Sequence, residues 1–297
     1  MTAAVREAAV RRAAVLGSPI AHSLSPALHR AAYAHLGLPW TYDAQECTAE
    51  GLAAFVAGLG PEWVGLSLTM PLKAAVLPLL DDVDPVALRT GAANTVLLGG
   101  GRRSGSNTDV PGMTAALAER GVTPSGGAGG RASILGAGAT ARSALASLAD
   151  AGWSSATVYA RTPDRADVVA GLRTAVVGTP LDLAVVPWPE LFAAGSGGLA
   201  APLVVSTVPA GAADELVGLV PASPGALLDV VYAPWPTALA KGWTASGGGV
   251  VVGGLDLLVH QAVLQVALMT GTDVPLGELV AVLREAGVAA LTDPGPG

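Results

Sequence analysis

Two apolar patterns alternate along this chain. Short unbroken apolar runs read as strands buried on both faces, and longer stretches with apolar positions three and four apart read as helices. Residues 12–16 predict a strand that ends in Gly17-Ser18-Pro19. Residues 26–36 predict a helix, with Ser25 as N-cap and Pro26 in the first position. Strands follow over 40–46 and 63–68, with a helix over 49–59 between them and another opened by Pro71. Residues 92–98 add a strand, Gly99-Gly100-Gly101 a turn, and 111–120 a helix. Residues 1–10 read as a loose tail. Strands and helices in alternation imply a mainly parallel sheet covered on both faces.

Pro124-Ser125-Gly126-Gly127-Ala128-Gly129-Gly130 is the most linker-like stretch, although a long loop inside one domain has the same composition. A second series starts directly after it, with strands near 131–135, 155–160, 203–206, 226–231 and 249–252. Helices near 255–271 and 276–287 close the chain. At 297 residues a single hydrophobic core usually divides. The expectation is therefore an α/β protein of two domains: an N-terminal, mainly parallel α/β domain over 1–110 with a returning 255–297, and a Rossmann-type domain over 111–254.

Composition narrows the function classes. Apolar residues make up 51% of the chain and mean hydropathy is +0.53. A membrane-spanning helix needs about 20 consecutive, mainly apolar residues, and the longest uncharged stretch, 191–213, is broken by Gly, Ser, Thr and Pro. A net charge of −7 with no basic run argues against nucleic acid as a partner. Cys47 is the single cysteine, and the four histidines show no metal-ligand spacing, so no metal site is expected. The N-terminus, with Arg6, Glu7, Arg11 and Arg12, makes a poor signal peptide, and the cytoplasm is the expected location.

The predicted strand 131–135 runs into Gly136-Ala137-Gly138-Ala139-Thr140-Ala141 and a helical pattern over 142–151. This is a Gly-x-Gly-x-x-Ala fingerprint in its strand–turn–helix setting. Gly136 permits the tight turn, Gly138 lets a pyrophosphate approach the backbone, and Ala141 lets helix and strand pack closely. The helix start then turns N–H groups toward phosphate. The next strand ends in Ala160-Arg161-Thr162, with Arg165 close behind. No acid stands where an NAD enzyme holds the ribose hydroxyls. Two cations and a hydroxyl suit a 2′-phosphate, so NADP is the expected cofactor, a solvated basic loop being the alternative.

Polar clusters also sit at predicted strand ends in the first half. Ser23 and Ser25 are two apart, so an extended segment would turn both hydroxyls to one side, where they could clasp a carboxylate. His22 would then point the opposite way. Thr69 and Lys73 flank Pro71, Asn94-Thr95 ends Gly91-Ala92-Ala93-Asn94-Thr95, and Asn107-Thr108-Asp109 precedes Pro111. Taken singly, each has an ordinary structural explanation, such as a helix cap, an exposed lysine or a turn former.

Together they resemble the shikimate dehydrogenase family. The resemblance rests on Gly17-Ser-Pro-Ile-Ala-His-Ser23-Leu-Ser25-Pro26, Gly65-Leu-Ser-Leu-Thr69-Met-Pro71-Leu-Lys73, Gly91-Ala-Ala-Asn94-Thr95 and Gly105-Ser-Asn107-Thr108-Asp109-Val-Pro-Gly112. Asp229-Val-Val-Tyr232-Ala-Pro234 and Gly254-Leu-Asp-Leu-Leu-Val-His-Gln261-Ala262 continue it. It implies NADP-dependent, reversible reduction of 3-dehydroshikimate to shikimate, a step toward chorismate and the aromatic amino acids. Ser23 and Ser25 would hold the substrate carboxylate. Thr69, Asn94, Asp109 and Gln261 would hold ring hydroxyls, with Tyr232 between substrate and cofactor. Lys73 and Asp109 would form the catalytic pair. Gly136, Gly138, Ala139, Arg161, Thr162, Arg165, Thr207, Val230 and Gly254 would line the cofactor. The implied partners are small molecules alone, with neither nucleic acid nor membrane, in a monomer or homodimer.

Some positions depart from the commoner pattern. Ala160 stands where Asn often precedes Arg-Thr, Ser206-Thr207-Val208-Pro209 replaces an Asn-Ala-Thr run, and Leu257 replaces a frequent Met. They touch the cofactor side and leave the substrate cluster intact. The same clamps would also serve a quinate or aminoshikimate dehydrogenase. A methylenetetrahydrofolate dehydrogenase fits less well, given Ser23, Ser25 and Asn107-Thr108-Asp109. A shikimate sensor without turnover is disfavoured by Lys73 and Asp109.

Overall fold

The computed structural model describes residues 10–124, 130–163, 166–193, 197–247 and 249–292. Residues 1–9 of the expected tail, the middle of the linker-like stretch (125–129) and Arg165 lie outside them. The chain divides into two compact units. One takes the chain up to Asp84, Ala93–Thr108 and the chain from Ala262 onward, and the other takes Pro85–Ala92 and Asp109–Gln261.

The first unit begins with strand β1 (Arg12–Gly17), helix α1 (Ser25–His35), β2 (Thr41–Glu46), α2 (Leu52–Ala57), β3 (Trp63–Leu68), the four-residue α3 (Leu72–Ala75) and β4 (Asp82–Val83). Helix α4 (Pro85–Thr90) belongs to the second unit. The first unit resumes with β5 (Thr95–Gly99) and β6 (Arg102–Ser106). Its sheet order is β2-β1-β3-β5-β6-β4. β1 pairs with β2 and β3 in parallel, and β4 with β6, whereas β5 runs antiparallel to both β3 and β6. The glycine turn was legible in sequence, and Gly100 and Gly101 do take positive φ (59° and 76°). Strand β6, Arg-Arg-Ser-Gly-Ser, carries no apolar signal and was not. A polar strand survives there because β5 supplies its ladder hydrogen bonds.

The second unit contains α5 (Asp109–Glu119), β7 (Arg131–Leu135), α6 (Ala139–Asp150), β8 (Ser155–Ala160), α7 (Ala166–Ala175), β9 (Asp182–Pro187), α8 (Glu190–Ala193), β10 (Leu203–Ser206), β11 (Ala226–Asp229), α9 (Ala238–Ala245) and β12 (Val251–Val252). Its strands lie in the order β12-β11-β10-β7-β8-β9, all parallel. The chain starts in the middle at β7, builds outward to β9, then crosses back to β10 and builds the other half. That reversal beside β7 is the switch point of a doubly wound sheet. Alternate residues of the central strands feed two separate cores: Ile134, Leu203, Val205 and Leu228 one, Leu135, Val204 and Leu227 the other. Both faces are therefore buried, which is why these strands read as unbroken apolar runs.

Helices α10 (Gly254–Thr270) and α11 (Leu276–Thr292) end the fold, and the boundary between units falls inside α10, at Gln261. The return thus begins at Ala262, a turn or two later than the expected 255. Pro85–Ala92 joins the second unit because it is tied to α6. Arg89 makes a bidentate pair with Asp150 (2.8 and 2.7 Å), and Arg142 donates to the Gly91 carbonyl (3.3 Å). No helix among the described residues is long and apolar enough to cross a membrane.

Candidate functional site

In the first unit three strand ends and one strand start meet at one edge of the sheet. Leu16 of β1 lies beside Leu68 of β3, so the chain leaving β1 at Gly17 runs next to the chain leaving β3 at Thr69. Thr69 N–H donates to Leu16 O (2.9 Å) and Ser18 N–H to Met70 O (3.0 Å). A Cβ on Gly17 would lie 2.3 Å from the Thr69 methyl, so only glycine permits this approach. β5 is antiparallel, so its start, rather than its end, reaches the same edge and brings Asn94 there. Leu68 N–H donates to Asn94 O (2.8 Å), and Asn94 N–H donates to Ser106 O at the end of β6 (3.0 Å). The Lys73 carbonyl accepts Ala93 N–H (2.8 Å), which ties the lysine motif to the Asn94 motif.

The serine motif needs correction. Residues 23–25 are not extended: Leu24 is helical in backbone (φ −80°, ψ −10°) and is itself the N-cap, and Ser25 is the first helical residue. Ser25 N–H donates to Ser23 Oγ (3.3 Å), so it is Ser23 that satisfies a helix-start donor. The face argument that set His22 opposite Ser23 falls with the extended segment, since Ala21 and His22 sit in a turn closed by Ser23 N–H to Ile20 O (3.0 Å). The preceding loop is held by Glu46, which accepts Ser18 Oγ–H (2.5 Å) and Ile20 N–H (3.0 Å). Pro71 likewise is the N-cap of α3 and not its first residue, which leaves Lys73 second in the helix and half-buried.

Behind this edge the polar groups are buried and, His29 Nε2 apart, paired. Asn94 Oδ1 accepts Thr108 N–H (2.8 Å) and Thr95 Oγ1–H (2.9 Å), and Asn94 Nδ2 donates to Thr108 Oγ1 (2.9 Å). Gln265 Nε2 donates to Asn94 O and to Thr95 Oγ1 (both 3.0 Å), and Gln265 Oε1 accepts Ser67 Oγ–H (2.9 Å). Ser67 Oγ accepts Tyr42 Oη–H (2.6 Å). Burial pushes the Tyr42 phenol well above its ordinary range, so it remains a neutral donor. His29 stacks on Tyr42 (centroids 3.9 Å apart) with Nδ1 on Ser25 O (2.9 Å), and burial takes its pKa from 6.5 down to about 4. Tyr42, Ser67 and Gln265 did not stand out in the sequence, and Thr95 and Thr108 stood there inside motifs without a role of their own. The available signals were a serine inside the buried run of β3 and a glutamine one helical turn beyond Gln261.

In the second unit the expected cofactor residues gather at the carboxyl ends of the parallel strands. Gly136 follows β7 with φ +102°, and a Cβ there would lie 2.7 Å from Thr207 Oγ1. Thr207 follows β10 and donates through both N–H (2.9 Å) and Oγ1 (2.8 Å) to Leu135 O. Gly138 is the N-cap of α6, with no side chain capping the helix, and a Cβ built on it meets nothing within 4 Å. Ala139 opens α6 and Ala141 is fully buried. Val230 follows β11, donating its N–H to Ser206 O (3.1 Å). Gly254 lies so close to it that a Cβ would sit 2.3 Å from Val230 O. Arg161 and Thr162 follow β8 and are exposed, whereas Ala160 is buried. Open space above an uncapped helix start, with an arginine at the neighbouring strand end, fits the diphosphate and 2′-phosphate of NADP.

The same unit carries Asp109, Gln261 and Tyr232. Asp109 is buried at the first position of α5. One turn on, Gly112 lets α5 meet α10 closely, since a Cβ there would be 2.8 Å from Gln261 N. Gln261 Nε2 donates to Leu258 O (2.8 Å). Tyr232 is half-buried in the segment after β11, which Asp229 shapes by accepting Val231 N–H (3.2 Å) and Thr237 Oγ1–H (2.7 Å). Burial raises the Asp229 carboxyl, and those two hydrogen bonds oppose it. No group of three or more His, Cys, Asp or Glu that could hold a metal ion occurs among the described residues.

A doubly wound sheet with its glycine turn at the switch point defines a Rossmann-type dinucleotide-binding protein, here joined to a second α/β unit rich in buried hydroxyls and amides. Comparison with known proteins narrows this class. Residues 15–96 match the family model described as the shikimate dehydrogenase substrate binding domain. A protein of Moorella thermoacetica named shikimate dehydrogenase (NADP(+)) is 38% identical over 294 residues, which cover 96% of each chain. Among solved structures, Mycobacterium tuberculosis shikimate dehydrogenase aligns with TM-score 0.80 and 39% identity over 95% of this chain and 99% of that one. The Thermus thermophilus enzyme, solved with NADP(H) and shikimate, aligns with TM-score 0.75 and 35% identity over 93% and 99%. The chain belongs to the shikimate dehydrogenase family.

Proposed function

We propose that this protein catalyses the NADP-dependent, reversible reduction of 3-dehydroshikimate to shikimate, with the first unit as substrate domain and the second as cofactor domain. The observation that carries this reading is similarity over 96% of each chain to a shikimate dehydrogenase named for NADP, supported by the motifs that contain Ser23, Ser25, Thr69, Lys73, Asn94, Asp109 and Gln261. Ser23 and Ser25 bind the ring carboxylate, while Thr69, Asn94, Asp109 and Gln261 bind hydroxyls and Tyr232 packs against the ring. Asn94 presents its Nδ2 end to the ring, because its Oδ1 is held by Thr95 and Thr108, while Nδ2 also donates to Thr108 Oγ1 (2.9 Å). Gly136, Gly138 and Ala139 hold the diphosphate, Arg161 and Thr162 the 2′-phosphate, with Arg165 as a further cation outside the described residues. Thr207, Val230 and Gly254 line the remainder.

Held by these residues, NADPH would supply the hydride to the ring carbonyl carbon. The oxygen then needs a proton, which the Lys73 Nζ ammonium gives, and Asp109 orients that ammonium and accepts a hydrogen bond from the ring. In oxidation Lys73 takes the proton back. A single cysteine, which rules out a disulfide within the chain, supports a cytoplasmic enzyme, and we read it as a monomer or homodimer. A spectrophotometric assay at about 340 nm, the absorption band of the reduced cofactor, tests the reading with shikimate, quinate and an aminoshikimate, each against NADP and NAD. The highest kcat/KM is expected for shikimate with NADP. A higher value for quinate or the amino analogue would reassign the substrate, and absence of turnover with all three would overturn the reading.

A further inference from the structure

Four polar side chains that the proposed reaction does not use form an unbroken row in the interior of the first unit, running from Tyr42 through Ser67 and Gln265 to Thr95, and the row ends on Asn94. None of the five is more than 4% exposed. The row has a single direction. Both Nε2 hydrogens of Gln265 go to acceptors, Asn94 O and Thr95 Oγ1, while its Oε1 takes the Ser67 proton and Ser67 in turn takes the Tyr42 proton. A flipped Gln265 amide would set oxygen against the Asn94 carbonyl. Thr95 Oγ1 accepts from Gln265 on one lone pair and gives its own proton to Asn94 Oδ1. That oxygen also accepts Thr108 N–H, so the Asn94 amide cannot flip either.

We propose that Gln265 is a positioning residue for Asn94: through Thr95 it adds a second donor to the amide oxygen that Thr108 N–H also holds, and so sharpens the orientation in which the Asn94 amide meets a substrate hydroxyl. The inference rests on the reading that Asn94 binds substrate. Core filling makes a different demand: losing Gln265 costs stability in either case, because Ser67, Thr95 and Asn94 O lose a partner, but only a positioning role changes shikimate binding through Asn94.

The test uses Gln265→Met, Thr95→Val and Thr95→Ser in the full chain, alone and with Asn94→Ala. Gln265→Met and Thr95→Val are expected to raise KM for shikimate roughly 2- to 13-fold, the equivalent of one neutral hydrogen bond, with KM for NADP unmoved. Thr95→Ser, which keeps the hydroxyl, is expected to behave as wild type. In the Asn94→Ala background Gln265→Met should add nothing, because the residue it acts through is gone. Multiplying effects in that background, or equal change in both KM values, would overturn the proposal. Hydrogen exchange at the Thr108 N–H reads the same ordering without substrate. It should quicken in Gln265→Met and Thr95→Val but not in Thr95→Ser, and unchanged exchange overturns the proposal whatever the assay gives. A wild-type protein inactive on shikimate would sink the functional reading alone, since exchange still reports whether Gln265 orders Asn94. If Gln265→Met fails to fold, the Thr95 pair decides.

Discussion

At the end of β3, in the first unit, the groups proposed to meet substrate are side chains: Thr69, Lys73, and Asn94 backed by Thr95, Thr108 and Gln265. At the end of β7, in the second, they are backbone: a glycine turn, an uncapped helix start and open space where Gly138 has no side chain. A small polyhydroxylated ring must be read atom by atom, which takes oriented donors and acceptors, and orienting them takes buried neighbours. A diphosphate asks only for close N–H groups and positive potential, which backbone provides wherever side chains are missing. The first kind of site should fail when side-chain chemistry changes, and the second when side chains are added.

The sharpest break is at Lys73. Lys73→Ala should lower kcat by about 10²- to 10⁴-fold, the size of a general acid–base term, with much less change in KM. Steady-state kinetics with shikimate and NADP checks this. Near-normal kcat with raised KM would make Lys73 a binding residue and return attention to His22, which the geometry of residues 21–23 no longer turns away.

Acid should strike the side-chain-built unit through His29. Its folded pKa of about 4 lies below the ordinary 6.5, so on unfolding below 6.5 it takes up a proton that the fold refuses. The contribution is intact above pH 6.5, falls away between 6.5 and about 4, and is fully lost below that. It amounts to on the order of 3 kcal/mol. Urea denaturation at pH 7 and 4.5 should show a smaller pH effect in His29→Phe, which keeps a ring against Tyr42, than in wild type. An equal effect in both would clear His29.

On the backbone-built side, Arg161→Gln should weaken NADP by roughly 10- to 150-fold, the worth of one charge-assisted hydrogen bond, and leave NAD nearly unchanged. Equal weakening of both cofactors would mean that Arg161 does not read a 2′-phosphate. The smallest effects come from two glycines two residues apart. Gly136→Ala should cost about 1–2 kcal/mol of stability in thermal melts, because it puts a Cβ at φ +102° and against Thr207. Gly138→Val should melt as wild type, since its Cβ meets no protein atom within 4 Å, yet bind NADP more weakly by titration if the proposed diphosphate site lies there. Undiminished NADP binding in Gly138→Val would place the diphosphate elsewhere.

Much of this was legible in the sequence because local patterns carried it. The apolar runs of β7, β10 and β11 are buried on both faces and need no partner to be recognised. The Gly136–Ala141 turn combines a strand, a left-handed glycine and a helix start within a few residues. Strand β9 escaped notice because Asp182–Pro187 lies at the sheet edge, half-covered and ending in proline. Ser23 and Ser25 were recognised as a pair, but their geometry was misjudged. Whether α1 starts before or after Ser25 depends on a backbone bend at Leu24, which no residue type there announces.

The sequence by itself determined the fold class, the dinucleotide turn and the identity of the polar residues, since each depends on side-chain type and near spacing. Only the tertiary structure decided what those residues face. Antiparallel β5 enters beside β3, and that pairing alone carries Asn94 to the same edge as Thr69. Gln265 reaches Asn94 across 171 positions of chain. The physical reason is common to both: a hydrogen bond is set by a distance of about 3 Å and an angle, and positions far apart in sequence acquire these only when sheet order and helix packing bring them together.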